Sequence, residues 1–372
     1  MELHGDSFRS DSFPLESLRG PPPVGIEQAT PVGVGRRARP TVPEVRREIP
    51  AEISERSLAL GLTVFLAAMS AYCVAVAGVL LAPWWPLQIA CAIPAGLFIA
   101  TFFVVGHDAC HGSLTPYDSL NKVLGRIAFL PSWTPYSTWE FAHNRVHHSY
   151  TNLRGMDYAW APLSKQEYDR LSEPRRRLER HYRSVWGLGS YYLIEYWLRH
   201  LMFPSRKERQ EMNRPVAFPF DLVLVLVFMA SQVGGLYAWC ATLAPSASFW
   251  GPFTSVPALL LTVIVLPFLV WNYGMGFAIF QHHNHPRVVW YAVPAERDFF
   301  AGQVESTVHA QMPLWLEWIS AFIMEHTAHH VNRRIPLYRL AESQRYLERA
   351  YTSQIIVEPW TFTTVGKTLA RC

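Results

Sequence analysis

The chain has 372 residues, half of them hydrophobic and only 17% charged, with a formal net charge of +4 at neutral pH. That balance is far from the strongly basic character of a nucleic-acid-binding chain, and no basic and aromatic residues interleave, so no nucleic acid partner is expected. Five cysteines, Cys73, Cys91, Cys110, Cys240 and Cys372, stand without paired spacing, which argues against a disulfide framework or a thiolate metal site and suits a reducing compartment.

Residues 1–42 are rich in Pro, Gly, Ser and Arg without a sustained apolar period and are expected to form a disordered tail. The first apolar block starts too late for a cleavable signal. From Ser57 to His107 there is no Asp, Glu, Lys or Arg, and from Leu222 to Pro286 there is again none. A membrane-spanning helix needs roughly 20 mainly apolar residues, so each block holds two spans. The first hairpin is predicted over 57–82 and 87–106, turning at Pro83-Trp84-Trp85-Pro86. The second is predicted over 222–243 and 257–280, turning through Pro245 to Pro252.

Every Lys and Arg falls before, between or after these blocks, and an even number of spans puts those three segments on one side. By the positive-inside rule that side is the cytoplasm. Between the hairpins, Arg170 to Arg183 reads as a solvated charged helix, and Ser184 to Phe203, with its Trp, Tyr and Leu residues, as a helix lying in the interface. Pro313 to Glu325 reads as a second interfacial helix. The expected fold is therefore an all-α polytopic membrane protein with four transmembrane helices and a cytoplasmic helical cap. One domain over 43–350 is followed by a tail, 351–372.

Of the fifteen histidines, eleven fall in four tight groups at or beyond the cytoplasmic ends of predicted spans. These are His107 with His111, His143 with His147 and His148, His282 with His283 and His285, and His326 with His329 and His330. Residues three and four apart share a helix face, so three of the groups can each aim imidazoles at one point. His148 points about 100° away from His147 around an α-helix, which suits two neighbouring ions better than one. Imidazole binds zinc, copper, iron and nickel alike. Eight or nine histidines exceed a tetrahedral zinc site and fit two six-coordinate irons. The Glu-x-x-His pattern of soluble di-iron bundles occurs once, at Glu140 to His143, and the His-Glu-x-x-His signature of zinc proteases is absent. His282, His283 and His285 compete for one further ligand position. His4, His181 and His200 are read as ordinary histidines, and His309 as a candidate only for contact behind the ligands.

The runs Phe-Val-Val-Gly-His-Asp-Ala-Cys-His from Phe103, His-Asn-Arg-Val-His-His-Ser-Tyr-Thr-Asn from His143 and His-Thr-Ala-His-His from His326 resemble the three histidine boxes of membrane fatty acid desaturases, closest to the acyl-lipid delta-12 or omega-3 type. The likeness extends from about Val42 to about Tyr346. It implies that His107, His111, His143, His147, His148, His326, His329 and His330 are iron ligands, with His283, in Gln-His-His-Asn-His-Pro, as a ninth. His285 is a departure that the resemblance does not explain, and the second box has the longer spacing before its His-His pair.

The resemblance further implies two iron ions, O2 as co-substrate and a fatty acyl lipid from which hydrogens are removed at two adjacent carbons, leaving an alkene and water. Asp108, Glu140, Asn152, Asp157 and Asn332 lie near the boxes and are candidates to orient ligand imidazoles. The sequence has no nucleotide-binding glycine loop, cysteine cluster or fused haem carrier, so electrons are expected from an external ferredoxin-like or small cytochrome donor. Two alternatives share the histidines: a membrane hydroxylase of alkyl, sterol or carotenoid substrates, and a non-catalytic membrane metal-binding or transport protein. The second would place its polar residues within the spans along a path.

Overall fold

The computed structural model describes residues 39–212, 217–243 and 248–371. The expected N-terminal tail lies outside them up to residue 38. The chain separates into Met1–Arg39 and Pro40–Cys372, and the second unit carries every feature below.

Among the described residues, four helices are long and apolar enough to cross a membrane: Leu58–Leu81, Trp85–Cys110, Ala217–Ala241 and Val256–His283, of 24 to 28 residues. At 1.5 Å per residue they reach about 36–42 Å, more than the roughly 30 Å of a bilayer's hydrocarbon core. Both expected hairpins are present, with shifted bounds. The second span continues past residue 106 to Cys110 and the fourth past 280 to His283, so His107, His282 and His283 stand in final helical turns. The third begins at Ala217 rather than at 222. Helical hydrogen bonding simply continues where hydropathy stops. Part of the expected second turn, residues 244–247, lies outside the described residues.

Leu260–Val265 within the fourth span is wound as a π-helix, immediately before Leu266–His283 with Pro267 in its first turn. Proline lacks an N–H and its ring clashes with the carbonyl four residues earlier, and the wider π-turn relieves both. The first and third spans are mostly exposed, only 17% and 11% buried over their most apolar stretch, against 50% and 44% for the second and fourth. The latter two are therefore the inner helices. Outward-facing Leu66, Val74, Val223 and Val227 form the apolar surface that lipid would cover.

At one end the hairpins are joined by stacking of Trp85 on Trp250, with centroids 5.8 Å apart, and by the Phe253 amide donating to Gln88 Oε1 at 2.6 Å. At the other end Arg56 Nη1 donates to the Gly112 carbonyl at 2.9 Å. There Asp221, buried at the start of the third span, accepts from Arg126 Nε at 2.7 Å and from the Ser137 amide at 2.8 Å. That end carries the helical cap.

Between the second and third spans the cap contains Asp118–Phe129, Tyr136–Trp139 and the π-helix Glu140–His147, then Glu173–Tyr182, Leu188–Tyr191 and the π-helix Tyr192–Met202. The Leu188 region presses on the fourth span at Gly276, where a Cβ would lie 2.1 Å from the Leu188 carbonyl oxygen. After the fourth span come Ala301–Glu305, Leu314–Ile319, His326–Val331 and Leu340–Ala350.

The expectation of an all-α chain needs correction: Val308–Gln311 and Ile356–Pro359 form a two-stranded parallel sheet, Val308 opposite Ile356. The region expected as a tail, 351–372, thus carries a strand and the helix Phe362–Arg371. One buried core joins Val45 and Ile53 near the start to Phe102 and Val105 of the second span, Ala328 and Val331 of the third box, and Leu347 near the end.

Candidate metal centre

His107 occupies the last turn of the second span and His111 caps it. Gly106, between box and span, lets the helix close on the Asp118–Phe129 helix, since a Cβ there would stand 2.8 Å from the Phe129 ring. Asp108 is fully buried and accepts from the Leu337 amide at 2.5 Å, tying the first box to the segment beyond the third.

The second box lies in Glu140–His147, whose π-winding alters the expected geometry. In an α-helix His143 and His147 would share a target, with His148 turned away. In the wider turn residues five apart align instead: His143 Nε2 and His148 Nε2 are 3.1 Å apart, while His147 Nε2 meets His330 Nε2 at 3.3 Å. The third box also divides. His329 Nε2 lies 3.1 Å from His148 Nε2, whereas His326 Nε2 faces His283 Nε2 at 2.9 Å.

Nine histidines thus assemble as two adjoining groups: His107, His111, His143, His148 and His329, and His147, His283, His326 and His330. The His-His pairs 147/148 and 329/330 each contribute one member to each group. Of the three histidines competing at the end of the fourth span, His283 joins a group. His282 stacks on His326 with centroids 3.6 Å apart, and His285 lies 3.6 Å from Glu358.

The chemistry of this donor set fits metal binding. The closest Nε2 pairs stand 2.8–3.3 Å apart, and two ligands at right angles on bonds of about 2.1 Å would be about 3.0 Å apart. Burial, reinforced by neighbouring histidines, pushes the imidazoles of His111, His143, His148, His326, His329 and His330 well below the usual histidine range. They are held neutral, the state in which a ring nitrogen offers its lone pair to a metal.

Three Nδ1 atoms are held from behind. His147 Nδ1 pairs with Asp157 at 2.9 Å, His283 Nδ1 with Asn152 Oδ1 at 3.0 Å, and His330 Nδ1 with Gln303 Oε1 at 2.7 Å. Such partners fix the Nδ1–H tautomer and leave Nε2 free toward the group. Asn152 adopts a φ of 57°, a left-handed conformation that Asn tolerates better than most residues. Of the other sequence candidates, Asp108 lies 3.5 Å from His107 Nδ1 and Asn332 bonds Ser54 rather than a histidine. Glu140 opens the π-helix of the second box. Gln303 was not foreseen. It also donates to the His148 carbonyl at 2.8 Å, and only its burial, which sequence does not display, marks it.

His309 stands outside both groups. Burial alone would lower its pKa, but the neighbouring carboxylates of Glu325 and Glu348 outweigh that and raise it to about 9.

An apolar cavity opens on the cluster. Phe103 and Val104 of the second span, Met275, Ala278 and Ile279 of the fourth, and Trp139, Tyr196 and Ile323 of the cap line it together with His107, His143, His147, His283 and His326. Trp139 stacks on His143 with centroids 4.8 Å apart.

Comparison with known proteins agrees with this geometry. The family model described as fatty acid desaturase matches residues 82–360. A chloroplastic omega-6 fatty acid desaturase of Brassica napus is 26% identical over 345 residues, covering 89% of this chain and 70% of the relative. The sn-1 oleoyl-lipid 12-desaturase of Arthrospira platensis is 28% identical, over 71% of this chain and 68% of its own. That of a Synechocystis strain is 27% identical, over 80% and 78%. Four apolar helices, buried histidine clusters beside an apolar cavity and a family match across most of the length lead to one assignment: the chain belongs to the fatty acid desaturase family, integral membrane oxidoreductases.

Proposed function

We propose that this desaturase holds one iron ion in each histidine group, on the cytoplasmic face of the membrane, and introduces a cis double bond at the delta-12 position of a lipid-carried acyl chain. The observation that carries the reading is the convergence of nine histidines into groups of five and four that share one apolar cavity. His107, His111, His143, His148 and His329 would hold one ion, and His147, His283, His326 and His330 the other. Bound iron supplies the oxygen chemistry by which two hydrogens leave the acyl chain as water.

The protein's part is position and exclusion. Asp157, Asn152 and Gln303 keep the Nδ1 protons on the outer side of their histidines, and the apolar lining admits an alkyl chain while keeping water out. The relatives named for oleoyl lipid and for the omega-6 position favour the delta-12 site and a lipid carrier. The cytoplasmic orientation rests on the distribution of Lys and Arg. Electrons come from an external ferredoxin-like or small cytochrome donor. Exposed Arg46, Arg333 and Arg334, near enough to repel one another's charge, favour an acidic one.

The test is expression in a host lacking polyunsaturated lipids, with a reduced ferredoxin supplied, followed by fatty-acid methyl ester analysis. A new cis double bond at carbon 12 of oleoyl chains is expected, lost in His147→Ala while the protein remains membrane-inserted. A hydroxylated product, or no product from iron-loaded protein with reduced donor, refutes the reading.

A further inference from the structure

Behind the third box lies a second, separate set of ligand-type side chains. His309 in Val308–Gln311, Glu317 in Leu314–Ile319 and Glu325 just before His326 are each more than nine-tenths buried. One donor atom from each lies within 4.8 Å of the others. His309 Nε2 is 2.9 Å from Glu325 Oε2, an approach not aligned as a hydrogen bond. Glu317 Oε1 accepts from the Met312 amide at 2.9 Å, while its Oε2 is buried with no hydrogen-bond partner.

On the far side of the ring, His309 Nδ1 pairs with Glu348 Oε1 at 2.5 Å, and Gln344 Nε2 donates to the same oxygen at 2.9 Å. A carboxylate behind Nδ1, itself anchored, is the support that metal-bound histidines use. Two buried carboxylates and the partly exposed Glu348 surround this one imidazole, and burying carboxylate oxygens without partners is costly.

We propose that His309 Nε2 and one oxygen each of Glu317 and Glu325 bind a single divalent first-row transition ion, distinct from the nine-histidine centre. The ion takes the place of the Nε2 proton and engages the two carboxylate oxygens that lack aligned donors. One imidazole with two carboxylates suits zinc, manganese or iron(II) and not a thiolate-seeking ion. Because Glu325 precedes His326, the ion ties the strand and the Leu314–Ile319 helix to the third box. Its role is to brace that box.

The full chain, purified in detergent, is stripped with chelator, reloaded with iron(II), zinc and manganese together, freed of excess and counted by elemental mass spectrometry. Three ions per wild-type chain are expected, with one fewer in both Glu317→Gln and His309→Gln. Two ions per monodisperse wild-type chain with no loss in either variant overturns the proposal, and should the variants fail to fold, the wild-type count alone decides. The outcome separates from that for the iron pair. A wild-type chain holding one ion, removed by Glu317→Gln, supports this site and refutes the pair, whereas ions lost only in His147→Ala do the reverse.

Discussion

Asp157→Asn isolates the step by which the protein sets a histidine tautomer. Asp157 Oδ1 accepts from His147 Nδ1 at 2.9 Å and from the Ala159 amide at 2.9 Å, and Oδ2 accepts from the Asn152 amide at 2.8 Å. All three partners donate, and a carboxylate serves them all. Asparagine has one accepting oxygen and one donating NH2 group. With its oxygen toward His147, the NH2 confronts the Asn152 N–H, and leaving such a buried donor unpaired costs about 1–3 kcal/mol. With the amide reversed, the NH2 donates to Nδ1 and drives the ring proton to Nε2, the atom 3.3 Å from His330 Nε2. The first arrangement costs stability, and the second opposes metal binding. Outer partners of metal-bound histidines are worth about 10–100-fold in affinity or activity, which is about 1.4–2.7 kcal/mol. Iron affinity or product rate should fall by that factor while insertion persists, measured as iron per chain at limiting iron(II) and as methyl esters formed over time. Wild-type values for both in folded Asp157→Asn would refute the tautomer role.

His283→Phe should lose iron and lower the product rate at least about tenfold, whereas His282→Phe, which keeps an aromatic ring against His326, should retain the full iron content. The opposite pattern in elemental analysis would move the ligand role to His282. His285→Ala should leave both iron and product unchanged, because its contacts are Glu358 at 3.6 Å and the Arg287 amide at 3.2 Å; a fall in iron would place it in the centre. Gly106→Ala forces a methyl group to within 2.8 Å of the Phe129 ring, an overpacking worth about 1–3 kcal/mol. Its melting temperature in detergent should drop, and an unchanged value would contradict the close approach.

The spans were legible because lipid selects on composition: a helix facing hydrocarbon cannot carry charge, and two long charge-free blocks announce that directly. Their ends were less so. A helix stops where its backbone finds other partners, and the second and fourth spans find none until the polar residues at Cys110 and His283 have been built into them. The nine histidines stood out by spacing and by resemblance, but their division did not. An α-helical wheel groups His143 with His147, whereas the π-turn groups His143 with His148, and nothing local in Glu-Phe-Ala-His-Asn-Arg-Val-His states that winding. The winding accompanies the stacking of Trp139 on His143 and the meeting of His147 with the distant His330. Four-residue strands such as Val308–Gln311 are too short for alternation to show. Asp157 and Asn152 were visible because they lie close to the second box in sequence, whereas Gln303 lies 27 residues from His330 and has no such proximity.

The two inner spans carry both the walls of the cavity and part of the metal centre, and that sharing bears on where a double bond forms. Phe103 and Val104 precede His107 by about one turn, and Ala278 and Ile279 precede His282 and His283 by the same interval. Four helical residues span about 6 Å, so lining and ligand are fixed to each other by a single rigid turn rather than by a loop. An alkyl chain lying against those side chains is therefore registered against the centre by the helix repeat itself. Among the described residues, the first and third spans, mostly exposed, contribute neither to the histidine groups nor to the lining. Selectivity among methylenes then follows from contacts with two helices and the aromatic cap residues Trp139 and Tyr196. On the proposed di-iron reading, changing the volume of a lining residue such as Ala278 would shift the chain relative to the histidine groups without touching one of their members, and so separate the position of the double bond from the ability to make one.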